Sequence, residues 1–349
     1  MKVSIGSKIK DGPWGGGNLF VINLKNYLIN NGHKVIHNLK DRDIDVILMT
    51  EPRKTSESSA FTHKDIEDYL RYVNNDCLVV HRINECDERK NTNFVNEYLK
   101  EANKIADGTI FVSSWIKDLY ENIGIQRENS KVILSGSDEK IFNHQNKNIW
   151  DKETPLKLVT HHWGNNWNKG FDIYQIIDEL IHEKFSGYNI NFTYIGKLPD
   201  NFEFKNTKHV EPISGQELAN EIKKSHIYVT GSLNEPSGNH HIEGAQCGLP
   251  LLYINSGGIP EYCRGYGVMY NKENFLTKLE EIINKYEMYS SKILSYERNA
   301  VKMSKEYENF LTEMFNNKNK FIQKRNIKER NSLLNLIKKY TFKIRTILS

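Results

Sequence analysis

Nowhere in the 349 residues do about eighteen apolar residues run together, so no membrane-spanning helix is expected. The opening residues, Met1 to Gly17, lack the apolar stretch of a secretory signal. Cysteine is scarce. Cys77, Cys86, Cys247 and Cys263 include no Cys-x-x-Cys pair, which argues against zinc ribbons and thioredoxin-type redox chemistry. Reduced thiols in a cytoplasmic protein are the simplest expectation. His240 and His241 are adjacent, but no Cys, His and carboxylate set has ligand spacing, so no metal is expected. No internal repeat of about 20–50 residues is present.

What is present suffices for packed cores: 38% hydrophobic and 11% aromatic residues make disorder the wrong default. At roughly 100–200 residues per domain, the length suggests two domains. The net charge of +4 hides an asymmetry. Residues 317–349 hold ten Lys/Arg and one acid, Glu329, so that tail carries +9 and the rest of the chain −5. Electrostatic arguments about partners therefore concern the tail.

Short apolar segments are expected as strands at Val3–Ile5, Lys34–His37, Asp45–Met49, Leu78–His81, Thr109–Val112 and Lys131–Leu134. A glycine-rich loop, Gly12 to Asn18, separates the first strand from a helix carrying Leu19, Ile22, Leu24, Tyr27 and Leu28. Another helix should open at Ser113-Ser114. Asn143–Thr154 reads as a linker, after which the pattern restarts. Leu156–Thr160, Ile190–Ile195, His226–Thr230 and Pro250–Ile254 are expected strands. Lys169–Ile181, Gly215–Lys223, Asn239–Cys247 and Ile259–Cys263 are expected helices, and from Asn271 the chain reads as helical. Strands alternating with helices imply parallel βαβ units. Ligands then bind beyond the carboxyl ends of the strands.

The strongest constellation is Glu235-Pro-Ser-Gly-Asn-His-His-Ile-Glu243, directly after a strand. Glu235 falls in the loop and Glu243 on the following helix, whose N-terminus suits a diphosphate. A carboxylate accepts hydrogen bonds from vicinal sugar hydroxyls. Gly238 allows close approach of backbone to ligand.

The stretch Asn234 to Tyr262, with Gly248-Leu-Pro250 and Gly257-Gly258-Ile-Pro260-Glu261, resembles the donor-binding signature of glycosyltransferase family 4. Gly15-Gly16-Gly17-Asn18 with Gly32-His33, Ser135-Gly-Ser-Asp138 through Phe142, and Lys169-Gly170 resemble further motifs of that family. The resemblance spans about residues 1–315. It implies an α/β protein of the GT-B fold: an acceptor-side Rossmann-like domain (1–145), a Rossmann-like donor domain (146–315) whose last helices cross back, and a basic tail (316–349). It implies a retaining transfer of a sugar from a nucleoside-diphosphate sugar to an acceptor hydroxyl in glycan or glycolipid synthesis.

By the same resemblance Glu235 contacts the donor sugar, Glu243 grips the ribose, and Lys169 neutralises the departing diphosphate. Gly238, Asn239 and His240 lie near sugar and phosphates. His81 stands near donor and acceptor, and Gly16 and Gly17 line the cleft from the other side. The family's arginine before the phosphate lysine is missing: Trp163 and Gly164 stand there. His161, His162, backbone groups or another arginine, such as Arg82, would make good that charge. Glu85, Asp87, Glu88 and Arg89 read equally as an acceptor pocket or a solvated loop. Trp14, Trp163 and Trp167 either stack on ligand or cap the cores.

No cofactor is expected beyond the sugar-nucleotide substrate. The rival readings are a sugar-nucleotide epimerase and a non-catalytic sugar-nucleotide-binding protein. The tail has Leu333, Ile337, Tyr340, Ile344 and Leu348 on one helical face. It reads as an interfacial helix on an anionic membrane, near a lipid-linked acceptor, or as a solvated or partner-packed helix. Nucleic-acid binding is not expected, because no reading module is recognised.

Overall fold

A computed structural model describes residues 1–10, 15–125, 128–323, 325 and 340. The first half runs β1 (Lys2–Ile5), α1 (Gly16–Asn30), β2 (Lys34–Ile36), β3 (Val46–Met49), α2 (His63–Tyr72), β4 (Leu78–Ile83), α3 (Asp87–Lys90), α4 (Val95–Asn103), β5 (Gly108–Phe111), α5 (Ser114–Asn122) and β6 (Ser130–Val132). The second runs β7 (Leu156–His162), α6 (Phe171–Leu180), β8 (Ile190–Gly196), β9 (Lys208–Val210), α7 (Gly215–Ile222), β10 (Ile227–Thr230), α8 (Asn239–Gln246), β11 (Leu251–Ile254), α9 (Ile259–Cys263) and β12 (Gly267–Tyr270). Helices α10 (Phe275–Asn284), α11 (Tyr286–Lys292), α12 (Ala300–Asn316) and α13 (Lys318–Ile322) follow.

Every strand pairing is parallel. The sheets have the orders β2-β1-β3-β4-β5-β6 and β12-β11-β10-β7-β8-β9. Central strands such as β3 and β4 are buried along their whole length, as continuous apolar runs in a parallel sheet require. The order reverses between β1 and β3 in one sheet and between β7 and β10 in the other. Such switch points open a crevice at the carboxyl ends of the strands. The loops after β7 and β10 carry Lys169 and Glu235.

The chain crosses back to the first sheet at α12. Ala300 N–H donates to Ser137 O at 2.8 Å, and a Cβ at Gly136 would lie 2.1 Å from Asn299 O. Only glycine fits that crossing. Tyr307 then packs on Phe20 with ring centroids 5.1 Å apart, and Leu311 and Met314 are buried in the same core. The next residues stay on this domain. Phe321 and Ile322 pack against its core, and Arg325 is paired with buried Asp107. Its Nη1 and Nη2 also donate to Asn75 O and Cys77 O at 2.9 and 2.8 Å. The apolar stripe expected after Leu333 and the expected cleft position of Trp14 lie outside the described residues, apart from Tyr340.

Residues 143–155 form neither helix nor strand, yet Trp150 is buried there and donates to Thr154 O at 2.8 Å. Strands β9 and β12 were not expected from the sequence. Both lie at sheet edges, and Lys208-His209-Val210 in β9 has a single apolar residue, so no apolar run marks it. All four cysteines are free and buried.

Candidate active site

The wall from the second domain is built on β10, its loop and α8. Leu233 N–H donates to Asn168 O at 2.7 Å, and Asn234 N–H to Ser256 Oγ at 2.9 Å. Gly258 N–H donates to Glu235 O at 2.8 Å, and a Cβ at Gly257 would lie 2.5 Å from that oxygen. The Gly257-Gly258 pair is therefore the bed on which the Glu235 loop lies. Gly238 turns the chain into α8 at φ +68°, where a Cβ would approach Glu235, His240 and His241 at 2.9 Å. Lys169 ends a single helical turn and is followed by Gly170 at φ +103°. A Cβ there would lie 2.6 Å from Gly231, so this glycine lets the lysine loop meet the β10 loop.

These loops converge on Glu235, which is buried. Its Oε2 lies 2.8 Å from Lys169 Nζ and accepts from Ser232 Oγ at 3.1 Å. Its Oε1 lies 2.8 Å from Arg89 Nε, which comes from α3 of the other domain. Arg89 Nη1 also donates to Glu85 at 2.9 and 3.0 Å, and Lys90 lies 3.2 Å from Glu85. Burial would raise the Glu235 carboxyl, but Arg89 and Lys169 outweigh it and hold it well below the usual carboxylate range. Glu235 drives the Arg89 value up against burial. Burial lowers the Lys169 ammonium, with Glu235 opposing and Arg89 adding to it. The result is one anion between two cations drawn from opposite domains.

A cavity of about 440 Å³ opens between the domains beside this cluster. Gly16, Gly17, Glu235, Gly238 and Asn239 line it. A Cβ at Gly16 would lie 2.8 Å from the Asn239 side chain, so the two domains touch there and a larger residue would have to displace that side chain. At Gly17 a Cβ would meet nothing within 4 Å, so that position faces open space.

Other expected residues sit behind this wall. Glu243 Oε2 lies 2.7 Å from His161 Nε2, and Tyr228 Oη lies 3.0 Å from His161 Nδ1. Both partners are buried, so Glu243 is presented by a fixed histidine. His240 Nε2 lies 2.7 Å from Thr230 Oγ1, and His162 Nε2 lies 2.7 Å from Tyr174 Oη. Burial holds His162 and His240 well below the usual histidine value, with Lys169 and neighbouring histidines adding to the shift. Both are neutral near pH 7, so neither supplies the positive charge expected of His162 toward a diphosphate.

Two placements differ from the sequence reading. His81 does not line the cleft. Strand β4 continues to Ile83, and period-two alternation turns His81 to the face away from Arg82. There it is fully buried, with Nδ1 3.1 Å from Asn103 Nδ2. Arg82 does line the cavity, but the arginine that meets the Lys169–Glu235 pair is Arg89. The glutamate-to-arginine spacing of 85 and 89 was visible; the cross-domain partner was not. Trp167 is a half-exposed cap over Phe171 and Phe202, with centroids 5.8 and 5.6 Å away. Among the described residues no cluster of three or more His, Cys, Asp or Glu is placed to hold a metal.

No protein-family model and no curated protein matches the chain. Solved structures do. The catalytic domain of starch synthase IV from Arabidopsis thaliana, bound to ADP and acarbose, superposes with a TM-score of 0.66 at 13% identity, over 90% of this chain and 99% of that one. A glycosyltransferase from Rickettsia africae gives 0.64 at 14%, over 90% and 99%. Anabaena HepE in complex with UDP-glucose gives 0.64 at 13%, over 90% and 100%. At such identities the likeness is one of fold, and the neighbours are GT-B glycosyltransferases. The chain thus has the GT-B fold, two Rossmann-like domains facing each other across a cleft.

Proposed function

We propose that this protein is a retaining glycosyltransferase that moves a sugar from a nucleoside-diphosphate sugar to an acceptor hydroxyl. The observation that carries the reading is the Arg89–Glu235–Lys169 cluster, set at the switch point of the second sheet and beside the N-terminus of α8. A carboxylate there can accept from sugar hydroxyls once Arg89 yields one oxygen. Lys169 and the free N–H groups of α8 lie where a diphosphate would gain charge as its bond to the sugar breaks. Glu243, fixed by His161, is suited to a ribose diol. In this reading no divalent cation takes part.

The acceptor belongs to glycan or glycolipid synthesis, and the basic tail brings the enzyme to the cytoplasmic face of an anionic membrane. Among the described residues no helix is long and apolar enough to cross one. HepE is described with UDP-glucose and starch synthase IV with ADP, so uridine and adenosine donors are the first to try.

The test is a thermal-shift panel of nucleotide sugars, because a ligand of the native state raises stability with occupancy. Incubation of the tightest donor with and without acceptors follows. Transfer that requires an acceptor supports the proposal. Conversion of donor alone identifies an epimerase, and tight binding without turnover identifies a binding protein.

A further inference from the structure

Three arginines line the interdomain cavity, and two are neutralised. Arg53 is chelated by Glu51, with Nε and Nη2 at 2.8 and 2.6 Å from its oxygens. Arg89 is held by Glu85 and Glu235. Arg82 differs. It is 5% exposed, and no carboxylate pairs with it among the described residues. Its Nε donates to Tyr307 Oη at 3.2 Å, and its Cζ lies 3.9 Å from the centre of the Phe20 ring. A guanidinium has five N–H donors in a fixed fork, and this contact uses one. Arg82 lines the cavity.

A second feature lies beside it. Helix α1 has Gly15 at its N-cap, no side-chain cap and no acid in its first turn. Phe20, the ring beneath Arg82, is about one turn from Gly16. The uncapped helix end and the unpaired guanidinium thus share one wall of the cavity, on the first domain. The cations assigned to the departing diphosphate are on the other wall or engaged with Glu235.

We propose that this wall is an anion subsite for the acceptor, and that the acceptor carries a phosphate ester or a carboxylate bound by Arg82. Bidentate recognition of such planar or tetrahedral oxyanions is what a guanidinium does best. The Phe20 ring face and the Tyr307 hydroxyl hold it in place without neutralising it. The inference rests on the transferase reading for the word acceptor; the anion subsite itself does not.

The full-length protein is saturated with the nucleoside diphosphate it binds most tightly. It is then titrated with glycerol 3-phosphate, glucuronate, and neutral glycerol and glucose. One anion should bind at least tenfold more tightly than its neutral counterpart, and which one does so separates phosphate from carboxylate acceptors. Arg82→Gln should remove that preference tenfold or more while leaving nucleotide affinity within twofold. Arg82→Lys, which keeps a stem over Phe20, should retain part of it and carries the test if Arg82→Gln does not fold. The subsite is overturned if wild-type protein shows no anion preference, or if the preference survives in a folded Arg82 variant. Proportional loss of nucleotide affinity would assign Arg82 to the donor instead. Failure of every nucleoside diphosphate to bind wild-type protein would remove the transferase reading, while the anion titrations without nucleotide would still decide the subsite.

Discussion

Arg89 reaches from α3 of the first domain to within 2.8 Å of Glu235 in the second, so each domain completes the other's charge. With Lys169 on the opposite oxygen, the glutamate lies between a buried cation and a half-buried one. Removing it leaves those cations facing each other. Breaking a buried pair by deleting one partner costs about 3–5 kcal/mol. Glu235→Ala should therefore lower the denaturant midpoint strongly, and adding Arg89→Ala should restore part of the loss. A double-mutant cycle without coupling between residues 89 and 235 would mean the contact does not form in solution. Glu235→Gln, which keeps the shape, should reduce turnover far more than nucleotide affinity.

Glu243 and His161 form a second buried unit, 2.7 Å apart. If Glu243 presents its carboxylate to a ribose, Glu243→Ala should weaken binding of the free nucleoside diphosphate. A hydrogen bond to a charged group is worth about 1.5–3 kcal/mol, so a tenfold or greater loss is expected by calorimetry. His161→Phe should give a smaller loss, because it frees the carboxylate without deleting it. Unchanged affinity in a folded Glu243→Ala protein would move the ribose elsewhere.

Much of this was legible in the sequence, and the exceptions share a cause. Strand–loop–helix order, the glycine motifs and both glutamates follow from local pattern, and each lies where the parallel sheets put strand ends. The pairing of Arg89 with Glu235 spans 146 residues and two domains, and no local rule encodes it. His81 was read as a strand-end residue facing the cleft, but the strand runs two residues further, to Ile83, and alternation within it turns His81 inward. His162 looked like a source of charge because burial is invisible in a sequence. Edge strand β9 was missed because Lys208-His209-Val210 offers no apolar run, and β12 because Gly267–Tyr270 was not read as a strand ahead of the helical segment from Asn271.

Turnover should survive chelation. In the proposed reading Lys169 and the α8 N-terminus take the place of a cation at the diphosphate, and among the described residues no group of three or more His, Cys, Asp or Glu is placed to hold a metal. Assays in excess EDTA should keep most of the rate seen without it. A strict dependence on magnesium or manganese would mean the diphosphate is held differently.

The buried histidines predict early acid lability. Burial holds His81 and His241 at about 3 and His226 at about 4, and keeps His162 and His240 well below the ordinary value. A histidine lowered on folding from about 6.5 binds fewer protons folded than unfolded between those limits. Stability is therefore whole above about pH 6.5 and falls with pH, by up to about 1.4 kcal/mol per pH unit for each such ring. The depressed Glu235 carboxyl adds to the loss only below its unfolded value, about 4.3. Denaturant midpoints should thus drop between pH 6.5 and 5, before carboxylates titrate. His241, with neither ring nitrogen hydrogen-bonded, should be replaceable by Phe with less acid lability. A flat stability profile from pH 7.5 to 5 would show that these rings are not buried neutral.

The tail should divide at Arg325. Its guanidinium is paired with Asp107, and both side chains are about 5% exposed or less. Phe321 and Ile322 pack beside it. A chain ending at Asn316 loses all three and leaves Asp107 buried without its cation, at a cost of about 3–5 kcal/mol. A chain ending at Arg325 keeps them and should melt like the full-length protein. Beyond Arg325 the sequence holds six cations and one acid, with most of its apolar residues after Ser332. Each cation near an anionic surface contributes about 1 kcal/mol. The full-length protein should co-sediment with anionic liposomes but not neutral ones, and high salt should release it. The chain ending at Arg325 should stay in the supernatant, still folded and still binding nucleotide. Equal sedimentation of the two would show that residues 326–349 do not bring the protein to a membrane.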